Sequence, residues 1–116
     1  MNRRFRLVRS TDFKRVRRFG KSYAHPLVVL VVMPNVSDDI HVGVSASRSV
    51  GKAVQRNRSK RLLREAIRPL LPHILPGWDL ILLARNTTSR ASKQDIHGAL
   101  VELLCRAQVI KAKNGS

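Results

Sequence analysis

GVSASRSVGKAVQRNRSKRLLREAIR, from Gly43 to Arg68, is the stretch that decides the fold of this 116-residue chain. Its second half, Lys52–Arg68, carries seven basic residues and one acidic residue, Glu65. At roughly 100° per residue, an α-helix gathers the apolar side chains of this segment on one face and the basic ones on the other. The apolar set is Leu62, Leu63, Ala66, Ile67 and Leu70, and the opposite set is Arg56, Asn57, Lys60, Arg61, Arg64 and Arg68. The segment therefore predicts a helix with a core face and a cationic face.

The cationic face carries like charges that repel each other along the helix. Arg56 and Lys60 stand four residues apart, as do Lys60 and Arg64, and each such pair destabilises an isolated helix by ~0.2 to 0.5 kcal/mol. Nucleic-acid phosphates relieve this repulsion, and the planar arginine side chain contacts two oxygens at once. A solvated helix face is the alternative interpretation. Because such faces usually mix signs and only Glu65 interrupts this one, the pattern favours a polyanion partner.

The whole chain is strongly basic. Lys and Arg number 23 against 7 Asp and Glu, for a net charge of +16. This balance points to a polyanion, with nucleic acid ahead of an anionic membrane surface. The length suits one domain and is too short for a separate catalytic module. We predict a single domain over residues 1–116, with residues 1–6 and 111–116 loosely ordered.

Cysteine usage and hydropathy indicate the compartment. Cys105 is the only cysteine, which excludes an internal disulfide and a cysteine-rich zinc site. We interpret it as a structural residue beside the apolar stripe of the last helix. The basic N-terminus is not followed by an apolar signal-peptide stretch, and no apolar run approaches the ~20 residues that span a bilayer. These features predict a cytoplasmic protein with no membrane partner.

The first predicted helix lies in a strongly basic N-terminal region. Residues 2–21 hold nine basic residues and a single acidic one. Ser10 suits an N-cap and Gly20 a C-terminal stop, so the helix is expected over Thr11–Phe19. Its apolar side is formed at three-residue spacing by Phe13, Val16 and Phe19. From this pattern alone, core packing is the direct interpretation of the two phenylalanines.

The remaining elements follow from the hydrophobic pattern. Apolar or alternating runs bounded by turn residues predict strands at Ser22–Ala24, Leu27–Met33, His41–Ser47 and Asp79–Arg85. The first three are expected to pair antiparallel. A last helix, capped by Ser92 with Asp95 at the capping-box position, packs in the core through Ile96, Ala99, Leu100, Leu103, Leu104, Ala107 and Ile110. The order α-β-β-β-α-β-α predicts an α+β sandwich, with three helices against a mainly antiparallel four-stranded sheet.

Two groups of motifs form a longer signature. The first is Val42-Gly43-Val44-Ser45, then Val50-Gly51-Lys52-Ala53-Val54, then Arg56-Asn57-Arg58 followed by Lys60, Arg61, Leu62 and Arg64. The second, near the N-terminus, is Arg6-Leu7, Ser10, Asp12-Phe13, Val16 and Gly20-Lys21-Ser22. Together they resemble the bacterial ribonuclease P protein family over nearly the whole chain, most strongly from Val42 to Ala66.

The resemblance implies two RNA-binding surfaces. In that family the helix with the Arg-Asn-Arg motif docks on the catalytic RNA subunit, which implies RNA-subunit contacts for Arg56, Asn57, Arg58, Lys60, Arg61 and Arg64. The family's first helix and the adjoining sheet face form a cleft for the single-stranded 5′ leader of precursor tRNA. This implies leader contacts for Phe13, Val16, Phe19, Arg17 and Tyr23. An exposed aromatic ring beside cations suits such a strand, because a base stacks on it for ~1 to 3 kcal/mol.

The resemblance also implies an activity and a fold. Ribonuclease P is a ribonucleoprotein endonuclease, a hydrolase that removes the leader to make the mature tRNA 5′ end. Its RNA carries the Mg²⁺-dependent chemistry, with the ions bound mainly through RNA, and the protein is an accessory subunit with no obligatory protein partner. The fold implied is that of ribosomal protein S5 domain 2, with a left-handed βαβ crossover, an exception to the usual right-handed preference.

The residues themselves form no catalytic pattern. Only Asp38 and Asp39 are neighbouring carboxylates, and no ligand spacing is shared by His25, His41, His73 and His97. No catalytic residue is predicted, and a protein-side metal site is not located. Composition leaves two other functions open. One is a structural RNA-binding protein, such as a small ribosomal protein. The other is a basic DNA-binding protein, which the lack of a helix-turn-helix partner disfavours.

Overall fold

The elements follow one another in the predicted order. A computed structural model of the chain describes residues 10–36 and 39–111, with the side chains of the first helix described from Lys14 onward. The elements are α1 (Ser10–Phe19), β1 (Lys21–His25), β2 (Val28–Pro34), β3 (Ile40–Ser45), α2 (Ala53–Ile67), β4 (Trp78–Ala84) and α3 (Lys93–Ala107). Each predicted boundary lies within two residues of the observed one, except the end of the last helix, which was predicted to include Ile110 but ends at Ala107. The loosely ordered ends predicted at 1–6 and 111–116 lie outside the described residues, except for Lys111.

The sheet corrects one predicted pairing. Its strand order is β1-β2-β4-β3, so β2 and β3 are not neighbours. The pairs β1–β2 and β2–β4 are antiparallel, as expected for a mainly antiparallel sheet, whereas β3 and β4 are parallel. The connection through α2 is long enough for β4 to return between β2 and β3, and the apolar run of β4 suits a central position buried on both faces. The β3-α2-β4 unit is therefore a βαβ crossover, whose left-handedness stays a prediction.

Two cores lie on the two faces of the sheet. The larger core joins α2 and α3 to one face, and α2 contributes Leu63, Ala66 and Ile67 to it, as predicted. The smaller core lies under α1, where Val16 packs between Val31 and Ile81. Because side chains alternate along a strand, each strand presents one set of residues to α1 and the other set to α2 and α3. Two helices thus hold one face, and a single helix holds the other.

The end of α1 lies unusually close to β2. The helix ends at Phe19, as predicted, and the Gly20 N–H donates to the Val16 carbonyl at 2.7 Å. A Cβ at Gly20 would overlap the Val16 carbonyl oxygen and lie 2.8 Å from Val31 Cγ1 and from the Val32 carbonyl oxygen. Glycine is required here because two backbone segments approach each other, which fixes the end of α1 on the sheet.

The helix termini show one confirmed and one corrected expectation. Ser92 caps α3 by accepting a hydrogen bond from the Asp95 N–H at 3.0 Å, as predicted. Cys105, interpreted above as a structural residue, is exposed on α3, so that interpretation is wrong.

After α2 the chain continues as a 3-10 helix over Arg68–His73, which accommodates both Pro69 and Pro72. Among the helices of the described residues, none combines the length and the apolar character needed to cross a membrane.

Candidate nucleic-acid interface

The basic face of α2 consists of the polar side chains that point away from the core. Leu63, Ala66 and Ile67 are buried and pack the inner side of the helix against the core. The residues on the opposite side are therefore directed outward. Four of the six predicted RNA-subunit contacts are exposed: Asn57, Arg58, Arg61 and Arg64. The other two, Arg56 and Lys60, are half-buried. The structure thus places all six on one helix, four of them fully available to a partner.

Two arginines of this face also make contacts within the protein. Arg56 donates from Nη1 to the Gly51 carbonyl at 3.0 Å, which ties the start of α2 to the preceding turn. Arg58 donates from Nε to the Ser89 carbonyl at 3.1 Å, which reaches the loop after β4. An arginine carries five N–H donors, so both keep donors for a second partner.

The basic face has no paired counter-charge among the described residues. Within the residues the structure describes, no basic side chain of α2 lies within 4 Å of a carboxylate, since the ion pairs found there involve Arg15, His41 and Arg106. Glu65 lies on the same helix and is exposed. A row of cations without paired carboxylates is what a phosphate backbone requires, because no internal ion pair must be broken on binding.

A second concave surface, the α1 groove, lies beside α1 at the ends of β3 and β4. It is an open cavity of about 380 Å³. Its floor is aliphatic, from Val29 and Leu83, and arginines stand at its walls, Arg17 on α1 and Arg85 after β4. The other lining residues are Ser45, Ser47, Ser49, Ala84 and Asn86. An apolar floor between cationic walls suits a strand that presents bases inward and phosphates outward.

The predicted leader contacts do not all meet in this groove. Arg17 lines it, and its contact with a leader stays a prediction. Val16 is fully buried beneath α1, so its side chain has no surface to offer an RNA, and the expectation of a direct contact is wrong. Phe13 lies one helical turn before Arg17, but its side chain lies outside the described part of the chain.

Phe19 lies on the other flank of α1. At roughly 100° per residue, Arg17 and Phe19 project to opposite sides of the line from Val16 to the sheet. Arg15 lies on the same flank as Phe19, and it contacts Asp79 at the start of β4, whereas the groove lies at the end of β4. The flank of Phe19 therefore faces away from the groove. Phe19 is 68% exposed. It is therefore available to a ligand, but from outside the groove.

Tyr23 is on the opposite face of the sheet. It pairs with Leu30, whose side chain belongs to the larger core beneath α2 and α3. Its ring lies 5.5 Å from Lys21 Nζ and 5.9 Å from Arg106 Cζ of α3. Because the sheet separates Tyr23 from Arg17, the two cannot line one groove, and the expectation that Tyr23 belongs to the same cleft is wrong.

A buried carboxylate, which the sequence did not single out, joins α1 to the sheet. Asp79 has a side chain only 3% exposed and lies 3.4 Å from Arg15 Nη2. Its other oxygen accepts from Asn35 Nδ2 at 2.8 Å and contacts His41 Nδ1 at 2.8 Å. The carboxylate therefore gathers α1, the turn after β2 and strand β3 at one point. Its partners compensate the cost of burying the charge.

A buried threonine holds the loop that forms one wall of the groove. Thr88 Oγ1 donates to the Leu27 carbonyl at 2.6 Å and accepts from the Arg85 N–H at 2.8 Å. Thr87 Oγ1 donates to the Pro26 carbonyl at 2.6 Å, and Arg58 reaches the same loop at Ser89. Residues 85–90 are thus fastened to the β1–β2 turn on one side and to α2 on the other.

The groove residues that the sequence analysis did not predict were all missed for one reason. Ser45 and Ser47 fall in the predicted strand His41–Ser47, but nothing local indicated that β3 and β4 end side by side. The parallel pairing brings Ser45 opposite Leu83, so Arg85 and Asn86 follow at the same edge. The signal that could have found them is the βαβ crossover implied by the resemblance. In the described residues, no three His, Cys, Asp or Glu side chains are grouped to hold a metal ion.

Comparison with known proteins adds a family context to this geometry. The family model described as ribonuclease P matches residues 1–108. A ribonuclease P protein component of Herpetosiphon aurantiacus is 41% identical over 109 residues, covering 94% of this chain and 89% of that protein. One of Clostridioides difficile is 38% identical, covering 93% and 96%. The solved RNase P protein of Staphylococcus aureus superposes with a TM-score of 0.80 at 31% identity, over 92% of this chain and 98% of that one.

Proposed function

The chain belongs to the ribonuclease P protein family, and on that premise we propose that it divides its surface between two RNAs. Family membership makes it the protein component of a tRNA-processing ribonucleoprotein. In our proposal the basic face of α2 binds the catalytic RNA, and the α1 groove binds the 5′ leader of precursor tRNA. The alternatives of a small ribosomal protein or a DNA-binding protein are set aside, because the family model matches almost the whole chain.

The observation that carries the proposal is that the two cationic surfaces differ in shape. The basic face of α2 is convex, and its exposed arginines are spaced along one helix, which suits the backbone of a folded RNA. Asn57, Arg58, Arg61 and Arg64 are the direct contacts, while Arg56 and Lys60 are half-buried and contribute charge at close range. Each phosphate that they neutralise releases counterions, so this contact is expected to weaken steeply with salt.

The α1 groove suits a single strand in a different way. Its aliphatic floor of Val29 and Leu83 offers van der Waals contact to a base rather than aromatic stacking. Arg17, on α1, and Arg85, after β4, both line the groove, where their guanidinium groups can reach the phosphates next to that base. The serine hydroxyls at the end of β3 can both donate and accept hydrogen bonds, so they suit ribose 2′-hydroxyls. Contacts to the ribose do not depend on the identity of the base.

The chemistry is assigned to the RNA partner. We propose that the catalytic RNA hydrolyses the phosphodiester and binds the required Mg²⁺ mainly through its own phosphates. The protein's part is to hold the leader and to lower the repulsion between two polyanions. Asp79, the buried carboxylate of the described residues, already contacts Arg15, Asn35 and His41, so its role is to position α1. We further propose that the complex works in the cytoplasm without an obligatory protein partner.

The test is cleavage of a precursor tRNA by a bacterial ribonuclease P RNA at low Mg²⁺, with and without this protein. We expect strong stimulation, with the cut at the mature 5′ end. A mature tRNA added as competitor should bind the complex more weakly than the precursor, because it lacks the leader. If the folded protein binds the RNA but neither stimulates cleavage nor favours the precursor, the assignment of the groove to the leader is wrong.

A further inference from the structure

The outer surface of α1 carries an aromatic side chain that the groove does not use. Three large hydrophobic side chains are exposed in the described residues, Phe19, Val36 and Val54, and Phe19 is the aromatic one. Scattered exposed hydrophobics are normal and need no explanation by themselves. Phe19 differs from the other two in that it carries an aromatic ring with a cation, Arg18, beside it.

The backbone at Phe19 is held on both sides. Val16 is buried against Val31 and Ile81 one turn earlier. Gly20, the next residue, approaches β2 so closely that a Cβ would collide with the Val32 backbone. Phe19 therefore projects from a rigid point. Because the backbone is already fixed, only the two side-chain torsions of phenylalanine remain to be ordered when it binds a ligand.

Cations connect this ring to the groove. The Arg18 guanidinium carbon lies 5.4 Å from the centre of the Phe19 ring. Lys14, Arg17 and Arg18 are all exposed. Their helical spacing places Arg17, Lys14 and Arg18, in that order, across the outside of α1 from the wall of the α1 groove towards the flank of Phe19. A strand leaving the groove over α1 would meet positive charge along the whole way.

We propose that the 5′ leader continues from the α1 groove across the outside of α1, and that a nucleotide upstream of the groove stacks on Phe19. This inference rests on the proposed function, since it extends the path of the same RNA strand. Lys14 and Arg18 hold the phosphates that cross the helix, and the ring takes an unpaired base. Stacking on an aromatic ring tolerates every base, so the site recognises leader length and not leader sequence.

The experiment is a leader-length series. The protein, assembled with the catalytic RNA, is titrated with precursor tRNAs whose leaders are trimmed one nucleotide at a time from the 5′ end. We expect affinity to rise at one length as the strand reaches Phe19, by about fivefold or more. Phe19→Ala should remove that rise, and Phe19→Trp should keep it. Val36→Ala, which trims another exposed hydrophobic side chain, should leave it intact.

Three outcomes would overturn the inference, and they are distinguishable from a failure of the proposed function. One is a rise in affinity with leader length that Phe19→Ala leaves unchanged. Another is that Phe19→Ala lowers the affinity by the same factor at every leader length, including the shortest. A third is the absence of any rise while Arg17→Ala still weakens short leaders, which leaves the groove assignment standing alone. If the wild-type complex binds precursor and mature tRNA equally, the groove assignment itself fails and the extension fails with it.

Discussion

Helices α1 and α2 are both strongly basic, but they are held to the protein in different ways. Helix α2 buries Leu63, Ala66 and Ile67 in the larger core shared with α3. From Lys14 onward, where its side chains are described, helix α1 is held by Val16 in a small core, by the contact of Arg15 with Asp79 and by the close approach at Gly20. The basic face of α2 therefore belongs to a strongly anchored element. The α1 groove depends on a few contacts, so it should be possible to disturb one surface without the other.

The largest effect should come from breaking the close approach of α1 to β2. Gly20→Ala places a Cβ against the backbone of both elements, which should reduce the free energy of unfolding by ~1 to 3 kcal/mol. Leader-dependent binding of precursor tRNA should fall, while affinity for the catalytic RNA should hold. Chemical denaturation and the two binding titrations measure these quantities.

Gly98→Ala is the matched control for that substitution. Gly98 lies within α3, and a Cβ there would meet nothing within 4 Å. Alanine in an open helix position should stabilise the protein by ~0.5 to 1 kcal/mol. If Gly20→Ala were as well tolerated as Gly98→Ala, α1 would not be held as the comparison requires.

An effect of similar size on stability should follow from loosening the wall of the α1 groove. Thr88→Val keeps the shape of the side chain but removes the hydroxyl that bonds the Leu27 carbonyl and the Arg85 N–H. The free energy of unfolding should fall by ~1 to 3 kcal/mol, because both partners lose a buried hydrogen bond. Arg85 should then be held less firmly, so discrimination between precursor and mature tRNA should narrow.

Serine at the same position separates the hydroxyl from the packing. Thr88→Ser retains the oxygen and should restore most of the discrimination lost in Thr88→Val. A loss of stability in Thr88→Val with full discrimination would mean that the loop supports the fold but does not position the groove wall.

The comparison also explains what could be predicted from the sequence. The two faces of α2 depend on residues within 15 consecutive positions, where apolar periodicity and charge coincide, and both faces were predicted. On α1, Phe13, Val16 and Phe19 were grouped because they recur every third residue. That spacing drifts by about 60° per step around a helix, so Phe19 leaves the line on which Val16 faces the sheet.

The groove depends on relations between distant strands, which local patterns do not contain. Ser45 meets Leu83 because β3 and β4 are parallel, and Tyr23 faces α3 because of its register with Leu30. A shift of one residue in that register would have placed Tyr23 on the groove side. The buried position of Asp79 was likewise invisible, since its partners Arg15, Asn35 and His41 come from three other segments.

The central claim is that the two basic surfaces bind different RNAs. The most direct test replaces one arginine on each surface with alanine. Arg61→Ala removes an exposed side chain from α2, and Arg17→Ala removes one from the wall of the α1 groove. For both variants we would measure affinity for the catalytic RNA alone and the ratio of precursor to mature tRNA affinity in the assembled complex. Neither substitution should alter the free energy of unfolding by more than ~0.5 kcal/mol.

The account predicts a crossed result. Arg61→Ala should weaken binding of the catalytic RNA by roughly tenfold, equivalent to ~1.4 kcal/mol, and leave the precursor-to-mature ratio unchanged. Arg17→Ala should reduce that ratio by a similar factor and leave binding of the catalytic RNA unchanged. If both variants lower both quantities to the same extent, the two surfaces act as one undivided polyanion site, and the proposed division is wrong.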